Sequence, residues 1–347
     1  MQEKIVIVGG GLSGLTLAYL LKKVNKESIV LEGSNRLGVR IQTIKGNLET
    51  PLEIGATWFS DQHPNLLALI EELQLKKYPQ FSKGISLFET KSFEPPQRFF
   101  VPESEAPSYR LAGGTQLLIN TLESTLDPGS IVLDARVIRV HTSKDKITLD
   151  CANGQRFNCD KLVICVPPQL VSNIIFSPEL PSALTKVLPT VQTWMAGSIK
   201  FVLEYDHAFW RKEGYSGMLF SHAGIVTEMY DHTNFEENKF GFTGFLNGAA
   251  VNYSYELRKE LVIKQLADLL GGQARKPVSY HDKIWNNVYV QDGPQSIHRP
   301  HQNNGHPALQ ESYMDGSVLF CGTESATVHP GYMEGAVISA KRIFEIL

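Results

Sequence analysis

The sequence predicts an α/β fold in which a doubly wound, Rossmann-type domain is combined with a second domain built on a mixed, mostly antiparallel sheet. Three observations lead to this prediction. A strand, a glycine-rich turn and a helix open the chain, short alternating strands occupy its middle, and a glycine-rich segment near residue 330 precedes another helix. With 347 residues, 42% of them hydrophobic and 20% charged, the chain can bury a sizeable core.

The first unit follows from hydrophobic periodicity. Lys4–Val8 is a short apolar run typical of a buried strand, and the leucines of Leu12–Lys23 recur with helical spacing. Ser28–Leu31 is a second apolar run. Together they predict a βαβ unit, the element from which doubly wound sheets are built.

The turn of this unit, GGGLSG, fits the G-x-G-x-x-G pattern through Gly9, Gly11 and Gly14. The first glycine permits the tight turn, the second lets a pyrophosphate approach the backbone, and the third lets the helix pack on the strand. Glu32 ends the second strand, where a carboxylate accepts hydrogen bonds from an adenosine ribose, so FAD or NAD is favoured over NADP. The contacts expected from the turn are Gly9, Gly11, Leu12, Ser13 and Gly14.

Composition narrows the partners. The net formal charge is −3 at pH 7, which gives no basic surface for nucleic acid or anionic membranes. The four cysteines lack metal-ligand or disulfide-framework spacing, so buried free thiols and no metal are expected. No secretion signal or membrane-spanning apolar run is apparent. We therefore expect a cytoplasmic protein whose partner is a small molecule; the oligomeric state stays open.

Two stretches after the first unit decide between FAD and NAD: LEGSNRLGVRIQT (31–43) and LEIGATWFS (52–60). Here the chain resembles the flavin-containing amine oxidases, whose ribose-binding Glu is followed by R-x-G-G-R. Val39 departs from that pattern by replacing its second glycine, and valine tolerates a positive φ poorly. The resemblance implies an FAD-binding fold of the amine oxidase and glutathione reductase type. The cofactor contacts that it implies here are Arg36, Arg40, Gly55, Ala56 and Thr57.

Three segments in the middle of the chain match the same family in the same order. YRLAGGTQLLINTL (109–122) is similar to its glycine-rich entry to a helix. DARVIRV (134–140) is similar to the strand whose valine, here Val137, meets the adenine. DKLVICVPP (160–168) is a buried strand that runs into a Pro-Pro turn.

A lysine in a strand is the main candidate for chemistry. Apolar residues alternate from Ile199 to Tyr205, which predicts a strand with one buried face and places Lys200 on the other. On pattern alone such a lysine is usually solvated. Family members, however, place a lysine before a Phe-Trp pair, here Phe209 and Trp210, and bridge it through water to the flavin N5 atom. Its role as base, water ligand or charge for oxygen activation stays open.

Further strands are expected at Gly217–Ser221, Gly224–Tyr230 and Phe240–Leu246, followed by an amphipathic helix over Tyr255–Leu270. The expected domain division is discontinuous. Residues 1–77, 110–190 and 286–347 would form the FAD-binding domain. Residues 78–109 and 191–285 would form the substrate domain.

The segment IWNNVYVQDGPQSIHRPHQNN (284–304) bears on the substrate. Monoamine oxidases carry here a Trp and a Gly, matched by Trp285 and Gly293, then a flavin-linking Cys and an aromatic Tyr. This chain instead has Pro294 and Gln295. The resemblance therefore implies non-covalent FAD and an aromatic cage that lacks one wall. The candidates for the missing surface are His298 and Trp58.

FCGTESATVHPGYMEGAVISAKRI (320–343) follows the family nearly residue for residue. Gly322 and Glu324 match positions near the pyrophosphate and ribityl chain, and Met333 matches the residue whose N–H meets the flavin pyrimidine. Tyr332 is the remaining cage wall. A helix beginning near Gly331 would direct its positive end at the flavin.

Together these features imply an FAD-dependent oxidoreductase of the amine oxidase type, with Lys200, Tyr332 and Trp58 as its catalytic residues. A hydride equivalent would leave the carbon next to an amine for flavin N5, and oxygen would return the flavin to its oxidised form and yield hydrogen peroxide. A desaturase with an apolar substrate is one alternative. An amino-acid oxidase that clamps a carboxylate with Arg98 or Arg110 is another. A non-catalytic or redox-sensing flavoprotein is a third.

Overall fold

The computed structural model describes residues 3–143, 146–286 and 299–347. The eight α-helices of these residues are α1 Leu12–Lys23, α2 Pro64–Glu72, α3 Gln116–Thr125, α4 Pro168–Val171, α5 Ser182–Val187, α6 Phe209–Lys212, α7 Tyr255–Leu270 and α8 Met333–Ile346. Their strands are β1 Ile5–Val8, β2 Ser28–Leu31, β3 Thr43–Lys45, β4 Pro51–Glu53, β5 Lys77–Pro79, β6 Gly84–Glu89, β7 Gln97–Val101, β8 Tyr109–Leu111, β9 Ile131–Val132, β10 Val137–Ser143, β11 Lys146–Cys151, β12 Arg156–Cys159, β13 Lys161–Ile164, β14 Ile175–Ser177, β15 Ile199–Tyr205, β16 Tyr215–Ser221, β17 Val226–Asp231, β18 Phe240–Leu246, β19 Ser279–Ile284, β20 Ser312–Tyr313 and β21 Val318–Phe320.

A six-stranded sheet forms the centre of the fold, in the order β20-β21-β13-β1-β2-β9. All neighbouring strands in it are parallel except β20, which runs antiparallel to β21 at one edge. The predicted βαβ unit is confirmed, with α1 and β2 at the predicted residues and β1 beginning one residue later, at Ile5. The doubly wound, Rossmann-type prediction is confirmed with it.

Different layers cover the two faces of this sheet. On one face, Ile7 and Val163 pack against Leu17 of α1 and Ile343 of α8. On the other face, the sheet packs against the four-stranded sheet β12-β11-β10-β14, with Leu149 fully buried between them. Because the middle strands are covered on both sides, they are continuously apolar rather than alternating.

A seven-stranded sheet, in the order β19-β15-β18-β17-β16-β6-β7, forms the second large layer. Its neighbours are antiparallel except for β16 and β6, so the prediction of a mixed, mostly antiparallel sheet is confirmed. Its strands come from residues 84–101 and 199–284. The limits of the two domains stay a prediction. No helix of the described residues is long and apolar enough to cross a membrane.

Two details differ from the sequence expectations. The last helix begins at Met333 rather than near Gly331, because Gly331 is left-handed (φ +84°) and Tyr332 is extended (φ −97°, ψ 166°). A Cβ on Gly331 would lie 2.6 Å from the Cβ of Trp194, so the close approach also requires glycine. The face of β15 that carries Lys200 is not solvated, since every residue of β15 is buried.

Candidate active site

A long groove crosses the carboxyl ends of the central parallel strands, the edge where open α/β sheets bind ligands. It contains about 1260 Å³ of space free of protein atoms, part of it open to solvent. The residues predicted from sequence that line it are Gly9, Gly11, Leu12, Ser13, Glu32, Arg40, Ala56, Val137, Tyr332 and Met333. The groove is therefore shared between the first βαβ unit and the start of α8, as a dinucleotide that ends in a flavin requires.

The three glycines of the turn have distinct tasks. Gly9 is left-handed (φ +114°), which makes the tight turn out of β1. A Cβ on Gly14 would lie 2.1 Å from the carbonyl oxygen of Gly9, so this residue lets α1 pack against the turn. No described atom lies within 4 Å of a Cβ built on Gly11, so the space beside it is open. An open position at the N-terminus of α1 fits a pyrophosphate.

Glu32 is almost fully buried, yet it borders the groove. Its Oε2 accepts a hydrogen bond from the Gly10 N–H at 2.7 Å. Its Oε1 accepts from the Ser34 N–H and hydroxyl, both at 2.8 Å. Three donors thus fix the carboxylate at the end of β2, where its position fits a ribose.

The loop after β2 contains both arginines of the family motif, and they act differently. Arg36 turns into the loop and donates to the carbonyl oxygens of Leu37 and Ile41, each at 3.0 Å, and also to that of Val39. It does not border the groove. Arg40 does border it, and is held by a bidentate pair with the buried carboxylate of Glu324 (Nη1 to Oε1 2.5 Å, Nη2 to Oε2 3.2 Å).

Val39 adopts a left-handed conformation (φ +38°), and it lines the groove. This geometry is strained for a β-branched residue. The valine at this position thus adopts a conformation that favours the glycine of the family pattern. The hydrogen bonds from Arg36 to the carbonyl groups of this loop hold Val39 in that conformation.

Lys200 lies behind the groove wall at Ala56, with only 2% of its surface exposed. Its Nζ donates to the Gly55 carbonyl oxygen at 2.6 Å and to the Thr57 hydroxyl. The same ammonium lies 4.8 Å from the ring centroid of Trp58. Since Gly55, Ala56 and Thr57 are consecutive, one short segment both borders the groove and binds the lysine.

Burial lowers the pKa of Lys200 to about 7, so the amine exchanges its proton near neutral pH. The nearby Glu53 carboxylate opposes this shift, while the positive charge of Arg110 adds to it. Glu53 is itself fully buried, and burial raises its pKa. Its Oε1 accepts from Thr43 at 3.1 Å and from the Thr115 N–H, while Oε2 has no hydrogen-bond partner among the described residues.

Aromatic rings and a carboxylate surround Lys200 on the same face of the seven-stranded sheet. Lys200 pairs with Phe245 across β15 and β18, and Phe245 pairs with Glu228 across β18 and β17. Trp58 meets Tyr230 edge to face at 5.1 Å between ring centroids. The Tyr230 hydroxyl donates to Glu228, which is only partly buried. A partly buried carboxylate flanked by aromatic faces suits a cationic or amine group.

A second aromatic group surrounds Tyr332 and was missed by the sequence analysis. Trp194 stacks on His301 with ring centroids 4.3 Å apart, and His301 stacks in turn towards Tyr332 at 5.7 Å. His63 and His329 contact each other edge to face at 4.9 Å beside the same tyrosine. Only the structure unites these residues, because they come from four separate segments.

The remaining predicted residues do not line the groove. Glu324 lies behind Arg40, and Gly322 (φ +120°) turns the chain out of β21. Neither proposed carboxylate clamp borders the groove: Arg98 is exposed, whereas Arg110 is buried and donates to the Thr233 carbonyl oxygen at 2.8 Å. Thr323 borders the groove although the sequence analysis did not select it.

The interpretations based on Gly293, Pro294, Gln295 and His298 lie outside the described residues. Trp285, the residue matched just before them, is buried, and its indole N–H donates to the Ile54 carbonyl oxygen at 2.9 Å. It therefore binds the residue that directly precedes the Gly55–Thr57 segment.

Comparison with known proteins gives consistent matches over the chain. The model of the family described as flavin containing amine oxidoreductase matches residues 12–92 and 84–343. A Dictyostelium discoideum protein named "Probable flavin-containing monoamine oxidase A" is 24% identical over 450 aligned residues, covering 98% of this chain and 96% of its own. Human amine oxidase [flavin-containing] B is also 24% identical, over 97% of this chain and 84% of its own.

Solved structures show the same fold. Putrescine oxidase bound to putrescine superposes with a TM-score of 0.86 at 21% identity, covering 99% of this chain and 98% of its own. Cyclohexylamine oxidase from Brevibacterium oxydans superposes with a TM-score of 0.85 at 19% identity, covering 99% of each chain.

Proposed function

Because the chain belongs to the flavin-containing amine oxidoreductase family, and is thus a flavin-dependent oxidoreductase, we propose that it binds FAD without a covalent bond and oxidises a small amine. The C–H bond next to the amine nitrogen would be broken, and oxygen would be reduced to hydrogen peroxide. One observation carries this proposal. The segment that borders the cofactor groove at Ala56 also holds the buried Lys200, through Gly55 and Thr57.

The residues of the groove fit FAD in particular. Glu32 suits an adenosine ribose, and Val137 supplies an apolar surface for the adenine. The open space beside Gly11 suits the pyrophosphate. The matched attachment position is Pro294, which has no nucleophile, and this supports non-covalent binding.

When bound, the flavin supplies a two-electron acceptor for a hydride equivalent, and oxygen then takes up those electrons. The chain orients the substrate and excludes water from it. Trp58 and Tyr332 offer aromatic surfaces for an amine. Lys200 holds a proton at its Nζ, or releases it, close to pH 7, because burial has lowered its pKa to about 7.

Glu228 favours an amine over a purely apolar substrate. The desaturase alternative needs surroundings without buried carboxylates, whereas Glu228, although it does not border the groove, lies partly buried on the face that carries Lys200. The amino-acid oxidase alternative needs an arginine on the groove, and neither Arg98 nor Arg110 borders it. An uncharged or singly charged small amine, of the size of those named for the structural relatives, is the substrate class that we propose.

The test begins with the visible spectrum of the purified protein. We expect a flavin spectrum whose chromophore is released by acid precipitation and identified as FAD by chromatography. Anaerobic addition of a panel of primary amines and diamines should bleach the flavin, and air should restore it with release of hydrogen peroxide. Flavin that stays with the precipitated protein would contradict the non-covalent proposal. Bleaching by amino acids or apolar substrates, with none by amines, would contradict the proposal that the substrate is an amine.

A further inference from the structure

Two cysteines lie side by side at the carboxyl ends of neighbouring strands. Ile164 pairs with Phe320 in the parallel register of β13 and β21, and the next residues along each strand are Cys165 and Cys321. The Cys321 N–H donates to the Ile164 carbonyl oxygen at 2.8 Å, so the ladder continues to this pair. Both side chains belong to the core that faces α1 and α8.

This placement meets the requirements of a disulfide. Neighbouring strands lie about 4.8 Å apart, and disulfides join residues whose Cα atoms are about 4.4 to 6.8 Å apart. Because the two cysteines point to the same face of adjacent strands, their sulfur atoms can meet without displacement of the sheet.

The surroundings of the two thiols differ. Burial disfavours both thiolates, and it raises the pKa of Cys165 well above its usual value. Around Cys321 this effect is outweighed by hydrogen bonds from Cys165, Ser339 and the Gly322 N–H and by the charge of Arg342, so its pKa is lowered. Of the two thiols, Cys321 therefore has the lower pKa.

Arg342 strengthens this asymmetry. Its Nη2 donates to the carbonyl oxygen of Phe320, the residue before Cys321, at 2.6 Å. Its buried Nε has no hydrogen-bond partner among the described residues. A guanidinium held beside a buried sulfur, with a donor still free, stabilises a thiolate.

One member of the pair borders the cofactor groove: Cys165 is part of the groove wall, and Cys321 lies next to it in the core. We propose that Cys165 and Cys321 form a redox-active dithiol, a modification site that hydrogen peroxide converts into an intramolecular disulfide. Hydrogen peroxide is the product of the proposed function, so the physiological use of the site rests on that function. The reactivity itself does not.

The reaction balances as follows. The Cys321 thiolate attacks one peroxide oxygen, the O–O bond breaks, and the hydroxide that leaves takes the Cys165 proton to form water. The Cys165 thiolate then attacks the sulfur of the Cys321 sulfenic acid and displaces a second hydroxide, which takes up the proton that Cys321 had released. Two thiols and one hydrogen peroxide give one disulfide and two waters. The two sulfurs together lose two electrons, and the peroxide oxygens gain them.

The other two cysteines provide an internal control. Cys159 pairs with Ile147, and Cys151 pairs with Val137, so each lies next to an apolar residue rather than a second thiol. Burial raises the pKa of both, that of Cys159 to about 12. Neither should react with peroxide.

The test uses the purified holoenzyme treated with added hydrogen peroxide, then denatured, alkylated and mapped by mass spectrometry. We expect Cys151 and Cys159 to be alkylated and Cys165 to be recovered linked to Cys321, with a thiol reductant restoring all four. Recovery of all four as alkylated thiols, a different pairing, or oxidation of Cys321 to its sulfinic acid without a disulfide would overturn the proposal.

Two variants sharpen the result. In Cys165→Ala, Cys321 should stop at the sulfenic acid, which a dimedone probe detects, whereas Cys151→Ala should still form the disulfide. Absence of the probe adduct in Cys165→Ala would contradict the thiolate assigned to Cys321. Because the peroxide is added, disulfide formation without amine oxidation would refute only the proposed function, and amine oxidation without the disulfide would refute only this site.

Discussion

Lys200 is an amine buried without an ion pair: no described carboxylate oxygen lies within 4 Å of its Nζ, and its contacts are a carbonyl group, a hydroxyl and the face of an indole. Such an environment favours the neutral amine, because desolvation disfavours charge more than these dipoles stabilise it. Lys200 is therefore a buried amine whose pKa is lowered to about 7.

We expect Lys200→Met to slow amine oxidation or flavin reoxidation by about 100-fold, the usual size of the effect when a positioned proton-transfer group is lost. Stopped-flow absorbance would separate flavin reduction from reoxidation. Lys283→Met is the matched control, because Lys283 lies directly opposite on β19 but donates to Gln42 at 2.6 Å instead. Equal losses in both variants would show that the effect is structural.

Gly11 and Gly14 should separate cofactor binding from folding. In Gly14→Ala the new Cβ meets the Gly9 carbonyl oxygen at 2.1 Å, so we expect a loss of stability of roughly 2 kcal/mol or more. In Gly11→Ala no described atom obstructs the Cβ, so the fold should persist while flavin binding is lost. Thermal unfolding of the flavin-free proteins and flavin titration provide the two measurements. A Gly11→Ala protein that still binds FAD normally would contradict the placement of the pyrophosphate.

The loop from residue 36 to residue 41 is an element whose shape depends on one side chain. Arg36 ties together the carbonyl groups of Leu37, Val39 and Ile41, and so holds Val39 in its left-handed conformation. A planar guanidinium makes these contacts in a way that a lysine ammonium does not.

Substitution of Arg36 should therefore weaken flavin binding, although the Arg36 side chain does not itself border the groove. We expect both Arg36→Ala and Arg36→Lys to raise the Kd for FAD by about 10-fold or more, since a disordered loop must be ordered again on binding. Flavin fluorescence titration would measure this. Arg139→Ala, at an exposed site on β10, is the control. Full rescue by lysine would mean that charge rather than loop geometry is the contribution of Arg36.

These elements also show which features could be predicted from the sequence and which could not. The βαβ unit was predictable because its periodicity and its glycines depend on local geometry, and α1 begins and ends at the predicted residues. The motif placed Arg36 at the cofactor, but a motif cannot distinguish a side chain that contacts a ligand from one that shapes the loop. Burial of Lys200 was not predictable from alternation, because the layer that covers its face comes from residues 55–58.

The aromatic group around Tyr332 could not be predicted from the sequence for a related reason. Trp194 and His301 are separated by more than 100 positions, and no local pattern marks either of them as a neighbour of Tyr332. Their contact depends on the close approach at Gly331, which appears only when the whole chain is folded.

For the molecule as a whole, Lys200 should make stability depend on pH. Its pKa is about 7 in the folded protein and near its ordinary value of 10.5 in the unfolded chain. Between these values the unfolded chain holds the extra proton, so the free energy of unfolding rises with pH, by at most about 1.4 kcal/mol per pH unit from this group. As the pH falls through 7 the folded protein takes up the proton as well, and the slope disappears.

Chemical denaturation of the flavin-free protein at pH 7.5 and 9.5 would test this. We expect the gain in unfolding free energy over that interval to be about 2 kcal/mol larger in the wild type than in Lys200→Met, since the variant lacks the amine whose pKa changes on folding. Equal gains would mean that the lysine stays protonated in the folded state.

The groove joins Gly9 to Met333, which are 324 positions apart in the chain. At about 5 to 20 residues per second, roughly 16 to 65 seconds separate their synthesis on the ribosome. If the groove binds FAD as proposed, its first half must therefore wait for the second, and we expect the glycine turn alone not to retain the cofactor. We expect nascent chains stalled before residue 320 to lack flavin. The cofactor would then bind only finished chains, and a fragment that ends early would never show the absorbance of bound flavin.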